Sequence, residues 1–203
     1  MTHLTDIDHL RSHYPTMIRH LQTLGAEFAI IGGVAVSIRT VERFTKDLDI
    51  AIAVRSDSEA EAIVLSLSRS GYFVETVIEQ EAAKRLSTVR LITPGPPEIF
   101  IDLLFASSGI ESEVVAAGEE AEIFVGVTGH VATIPSLIAL KVLSANTKTR
   151  LQDIMDLQNL IKEASTTELE TARDLMKLIT VRGFNRNKDL LNDFQGFLTQ
   201  FRD

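Results

Sequence analysis

With 203 residues, 45% of them hydrophobic, the chain can bury one full core, alone or with a smaller helical lobe attached. Its formal net charge of −8 argues against a broad duplex-DNA footprint, which needs many Lys and Arg contacts, but leaves room for a local basic groove. No stretch reaches the roughly 18 uninterrupted apolar residues of a membrane helix, the N-terminus lacks a basic-then-apolar leader, and the absence of cysteine excludes disulfides and thiolate metal sites. These features predict a cytoplasmic protein with no membrane segment.

The first predicted element is a helix over 4–24, where Leu4, Ile7, Leu10, Tyr14, Met17, Ile18, Leu21 and Leu24 recur at helical spacing before Gly25. A short apolar strand, 27–31, leads into Gly32-Gly33 and a small-residue helix over 34–39. Residues 47–54 read as a strand. Ser56 or Asp57 caps a helix to about Ser70, and Gly71 ends it. Strands are predicted over 72–78, 88–93 and 98–105, with Gly95-Pro96-Pro97 as a turn. Residues 109–132 suggest a turn and two short strands, 123–127 and 130–133. Beyond Pro135 the pattern is helical throughout: 135–145, 149–164, 166–181 and 187–202. The expectation is an α+β (α/β) chain, with a mixed-sheet core over 1–134 and a helical lobe over 135–203.

Asp47 and Asp49 are two apart on a predicted strand, so both side chains leave one face, roughly 6.6 Å apart. Asp102 lies in the otherwise apolar run 98–105, where a lone acid is costly to bury. If the two strands pair, three acids meet, and such a set suits hard divalent cations that share their shell with phosphates. Gly32-Gly33, between a strand and a helix, lets backbone N–H groups approach a phosphate, with Arg39, Arg43 and Lys46 nearby. An Asp-x-Asp pair alone usually marks a solvated strand end, and a lone Gly-Gly a tight turn. Their order along the chain is what raises the signal.

Phe28-Ala-Ile-Ile-Gly-Gly-Val-Ala-Val followed by Arg43-Phe-Thr-Lys-Asp-Leu-Asp-Ile resembles the signature of the DNA polymerase β-type nucleotidyltransferases. The resemblance implies that Asp47, Asp49 and Asp102 bind Mg2+ (Mn2+ being the substitute) and position a nucleoside triphosphate (NTP). Gly32, Gly33, Lys46 and Lys141 would contact that nucleotide. The chain departs from the signature at Gly33, where serine is common, so backbone contact would replace a hydroxyl. Pro135-Ser-Leu-Ile-Ala-Leu-Lys-Val-Leu-Ser, then Arg150-Leu-Gln-Asp-Ile-Met-Asp-Leu157, is similar to the AbiEii-like members, which include type IV toxin–antitoxin toxins. By that similarity Arg43, Arg150, Asp153 and Asp156 support the site, although Arg150, Asp153 and Asp156 also fit a solvated salt-bridged helix face. The implied activity moves an NMP from an NTP onto an acceptor hydroxyl of tRNA or protein, and the implied partner is an antitoxin. Two alternatives are an aminoglycoside- or lincosamide-modifying enzyme, suited to an acidic cleft, and a non-catalytic binding relative.

Overall fold

The computed structural model describes residues 3–43, 45, 47–80, 84–96, 98–145 and 151–202, and of 3–12 the backbone alone. In chain order the elements are α1 (His3–Thr23), β1 (Glu27–Ile31), α2 (Gly32–Arg39), β2 (Leu48–Ala53), α3 (Asp57–Arg69), β3 (Phe73–Gln80), β4 (Arg85–Ile92), β5 (Phe100–Leu104), α4 (Glu111–Ala116), β6 (Glu119–Phe124), β7 (Val127–Val131), α5 (Ile134–Ser144), α6 (Leu151–Glu163), α7 (Thr166–Val181) and α8 (Leu190–Arg202). Local chemistry sets several of these boundaries. Gly25 takes a positive φ of 65° just after α1, a conformation that costs glycine little. The Ser56 hydroxyl accepts from the Glu59 amide to cap α3, and Ser165 forms a reciprocal capping box with Glu168 at α7.

The seven strands form one mixed sheet in the order β3-β4-β5-β2-β1-β7-β6. β1 runs antiparallel to β2, and β2 runs parallel to β5, so three apolar segments, the third separated from the second by β3 and β4 in the chain, become its centre. Ile50, Ile52, Ile101 and Leu103 on these strands are fully buried, as their alternation demands. α1 and α3 pack on β1 and β4, while α4 lies over β1 and β2.

The region 109–132 departs from expectation. Its two strands begin earlier, at Glu119 and Val127, and a short helix, α4, precedes them. Glu111 explains the helix. Its buried carboxylate turns back to accept from the amides of Ser107 and Ser108, at 2.8 and 2.6 Å, and from the Ser108 hydroxyl. One acid thereby ties the loop after β5 to the first turn of α4, a bond that period alone does not reveal. The acidic run 119–122 forms strand because it pairs with β7, with its charges at the sheet edge.

α5 is apolar nearly all round, and it packs against α2, α6, α7 and α8. Its last carbonyls, which have no partner within the helix, are met by Lys188 Nζ, 2.8 Å from Leu143 O and 2.6 Å from Ala145 O. One hydrophobic cluster runs from the sheet through these helices, including Leu137, Leu160, Met176 and Phe194. Among the described residues no helix is long and apolar enough to cross a membrane.

Candidate nucleotidyl-transfer site

Strand register brings the acids together. Ile31 pairs with Asp49, Asp49 with Asp102, and Asp102 with Arg90, forming one row across β1, β2, β5 and β4. Directly paired residues point to the same face of a sheet, so Asp49, Asp102 and Arg90 rise side by side. Asp47 stands just before β2 rather than on it, and lines the same cleft. That cleft, of about 640 Å3, is bounded by the Gly32-Gly33 turn, the acids, one side of α5, the start of α6, the Ser107-Ser108 loop and Arg186.

Gly32 takes a φ of 62°, and a methyl group there would lie 1.8 Å from Asp49 Oδ2. Only glycine satisfies both the turn and this approach. The Gly33 amide donates to Asp49, so the turn already holds an anion through its backbone. A methyl group on Gly33 would meet Thr45 Oγ1 and Arg43 Nη2, each at 2.8 Å. The space a serine side chain would need is therefore taken, which gives the substitution in the signature a steric cause. Thr45 brings a hydroxyl to that space, where it donates to the Asp47 carbonyl at 3.3 Å.

The electrostatics are unequal along the row. Burial pushes the Asp49 carboxyl up to about 6, and the charges of Asp102 and Asp47 add to this against the opposing effects of Lys141 and the Gly33 amide. Asp102 is held by a bidentate pair from Arg90, at 2.8 and 2.7 Å, and the Arg90 guanidinium also stacks over Phe100 at 5.4 Å. Among the described residues no group of three or more Asp, Glu or His is drawn together into a ready-made cation cage. With Asp102 turned onto Arg90, the three acids share a cleft without closing around one point.

Behind the turn, Asp156 is fully buried and receives Arg43 Nε and Nη2 at 2.8 and 2.7 Å, Lys141 Nζ at 2.8 Å and Gln152 Nε2 at 3.1 Å. Burial raises this carboxyl, but Arg43, Lys141 and Gln152 together outweigh it and hold Asp156 below its ordinary value. Asp153, also buried, accepts from Lys141 at 2.7 Å and from the Ser144 hydroxyl at 3.1 Å. The solvated-face alternative for α6 is thus corrected: its two acids point inward and join α2's trailing loop to α5. Arg39, by contrast, turns away from the cleft toward the carbonyls of Val131 and Ala132 and the carboxylate of Glu119. Lys46 and Arg150 lie outside the described residues.

Three cleft residues escaped the sequence reading. Arg90 sits in an alternating strand and reads as solvent-facing until the β4–β5 register puts it opposite Asp102. Thr45 is visible as the third residue of Arg43-Phe-Thr, but its place beside Gly33 depends on the loop's path. Arg186 lies between two C-terminal helices, and no spacing links it to the acids.

A mixed sheet that presents a glycine turn against an aspartate, with a second aspartate on the neighbouring parallel strand, is the nucleotidyltransferase-like fold. Residues 17–201 match the family described as nucleotidyl transferase AbiEii toxin, type IV toxin–antitoxin system, and the chain belongs to that family. Solved structures agree on the fold. An antigenic nucleotidyltransferase-like protein from Paracoccidioides brasiliensis superposes with a TM-score of 0.51 at 19% identity, covering 93% of each chain. The antibiotic-resistance factor ANT(2'')-Ia superposes at 0.55 and 17% identity, covering 85% of this chain and 94% of that one. The same factor in complex with adenylyl-2''-tobramycin gives 0.53 at 13%, covering 83% and 98%. No curated protein sequence matches the chain.

Proposed function

We propose that this nucleotidyltransferase moves a nucleoside monophosphate from an NTP to an acceptor hydroxyl of tRNA or protein, as the toxin of a pair whose antitoxin is a separate protein. The observation that carries this reading is the register row Ile31, Asp49, Asp102, with Gly32 pressed against the Asp49 carboxylate. The acceptor oxygen forms a bond to the α-phosphorus as the bond to the bridging oxygen breaks. Pyrophosphate leaves, and the acceptor's proton passes to solvent.

The acids fit a divalent cation. The raised Asp49 carboxyl reflects burial plus repulsion from Asp102 and Asp47, a negative charge that a hard cation relieves. Asp47 and Asp49 would hold such a cation, Mg2+ or Mn2+, and Asp102 would join them once Arg90 releases it. When bound, the cation supplies charge neutralisation at the phosphates. The chain's own groups would orient the nucleotide, the Gly32-Gly33 backbone and the Thr45 hydroxyl meeting its phosphates. Lys141, fixed by Asp153 and Asp156, would stand beside them. Lys46 belongs to the same nucleotide-binding set by sequence, and Arg43 and Arg150 to its support.

The test is incubation with each labelled NTP, Mg2+ and total tRNA, with parallel arms containing cell protein and an aminoglycoside. Label is expected on RNA or protein with wild type and on neither with Asp49→Ala. Transfer that survives the substitution, or goes to the aminoglycoside alone, contradicts the proposal.

A further inference from the structure

We propose that Arg90 is a positioning residue, a counter-ion that Asp102 exchanges for the divalent cation, and that Glu75 receives the displaced guanidinium. This rests on the transfer reading above and concerns the loading of its site rather than the transfer step. The row of paired residues that carries Asp49, Asp102 and Arg90 continues to Thr76 on β3. Arg90 therefore stands between Asp102 on one neighbouring strand and Thr76 on the other. At this point β3 holds one residue too many. Val74 pairs with Leu91 and Thr76 with Arg90, which leaves Glu75 as the extra residue of a β-bulge. A bulge interrupts the alternation of faces and re-aims a side chain. Here it brings an acid to the cleft side, where the Thr76 hydroxyl donates to Glu75 Oε2 at 3.4 Å. The charge of Glu75 already acts on Arg90. The guanidinium is held well above its ordinary value, first by its hydrogen bonds to Asp102 and then by the charges of Asp102, Asp47 and Glu75, against the opposing effect of burial.

Loading the site requires this exchange. Both Asp102 oxygens accept from Arg90, at 2.8 and 2.7 Å, so a cation reaching Asp102 meets a like charge seated on it. Of the two partners Arg90 is the more exposed, its side chain at 37% against 14% for Asp102, so the guanidinium is the group free to turn outward. β4 lies between β3 and β5, roughly 4.8 Å from each, and rotation of the Arg90 side chain alone carries its charge from one acid toward the other. An anionic berth at Glu75 keeps the displaced cation paired and moves it one strand away from the acids. The extra residue in β3 thus has a use: without it, strict alternation would place no carboxylate on that side of Arg90.

The experiment is a double-mutant cycle read by ion binding rather than by turnover. Wild type, Arg90→Gln, Glu75→Gln and the doubly substituted protein are titrated with Mn2+ alone, the free ion being followed by electron paramagnetic resonance. Mg2+-dependent NTP binding and the unfolding midpoint are measured in parallel. Arg90→Gln is expected to tighten Mn2+ binding about tenfold, because Asp102 is then always available. Glu75→Gln is expected to weaken it about threefold, the scale of one exposed ion pair, and to have no effect once Arg90 is gone. A Glu75→Gln effect of equal size in both backgrounds overturns the inference, since Glu75 would then act on the ion through its charge alone. Weaker Mn2+ binding in Arg90→Gln, with or without a lower unfolding midpoint, also overturns it, because Arg90 would then order Asp102 for the ion instead of competing with it. Mn2+ binding that neither substitution changes does the same and leaves the transfer reading standing. No Mn2+ binding by any of the four proteins overturns the inference as well. The transfer reading then survives if NTP binding still depends on Mg2+, and falls if wild type binds no NTP.

Discussion

Replacing Asp156 by alanine is expected to destabilise the protein by about 3–5 kcal/mol, the scale of breaking a buried ion pair by deleting one partner. Asp156 has no exposure and is met by two cations, Arg43 and Lys141, whose side chains are only 22% and 12% exposed. Alanine would leave both cations largely out of water without this shared carboxylate, Lys141 keeping its pair with Asp153. Asp156→Asn keeps the shape and part of the hydrogen bonding, so its cost should be smaller. The pH dependence follows from the same contacts. The folded carboxyl titrates below its unfolded value, so its stabilisation is full above about pH 4 and disappears as pH falls through the folded value. Denaturant unfolding at pH 7 and pH 3 checks both statements, because the gap between wild type and Asp156→Asn should narrow at the lower pH. An alanine variant as stable as wild type would show that the pair is not a structural tie.

Asp49→Asn should do the opposite to stability while removing activity. Burial, Asp102 and Asp47 raise the folded Asp49 carboxyl to about 6, above its unfolded value near 4. A group raised on folding favours the protonated native state. The cost of ionising it therefore appears as pH climbs from about 4 and is complete above about 6. Asparagine removes that cost. In the presence of a chelator the variant is expected to gain about 3 kcal/mol at pH 7.5 and almost nothing at pH 4. Nucleotidyl transfer should fall to background at every pH. A variant less stable than wild type at pH 7.5, or one whose gain does not depend on pH, would mean that Asp49 is not under electrostatic strain.

These opposite expectations show where function acts against stability. Asp156 lies behind the turn with its partners in place, so its charge holds the fold together. Asp49 faces the cleft beside two like charges, a destabilising arrangement that a site can maintain when a cation is part of its working state.

Most of the architecture could be read from residues because each signal was local. The apolar run 27–31, the paired glycines, the apolar run that follows Asp47 and the run 98–105 each predict their own element. The meeting of Asp49 with Asp102 depended on strand pairing, which the sequence suggested through the cost of burying Asp102. Arg90 shows the limit of such reasoning. Its alternating strand suits an exposed position equally well, and its partner is defined only by register. The Arg43–Asp156 pair spans 113 positions, and no local pattern encodes it. α4 was missed because six residues are too few for helical periodicity to show, and its fixing contact runs backward from Glu111 to Ser107 and Ser108. The positive φ values at Arg186 and Asn187 had no glycine to announce them.

The central claim is that the Gly32-Gly33 turn and its neighbouring acids form a cation-dependent nucleotide site. Isothermal titration of the protein with non-hydrolysable analogues of all four NTPs, with Mg2+ and then with a chelator, tests it most directly. At least one analogue should bind to wild type with Mg2+, lose that binding with the chelator, and fail to bind Asp49→Asn under either condition. Binding that is equal with and without Mg2+, and equal in the variant, would contradict the claim.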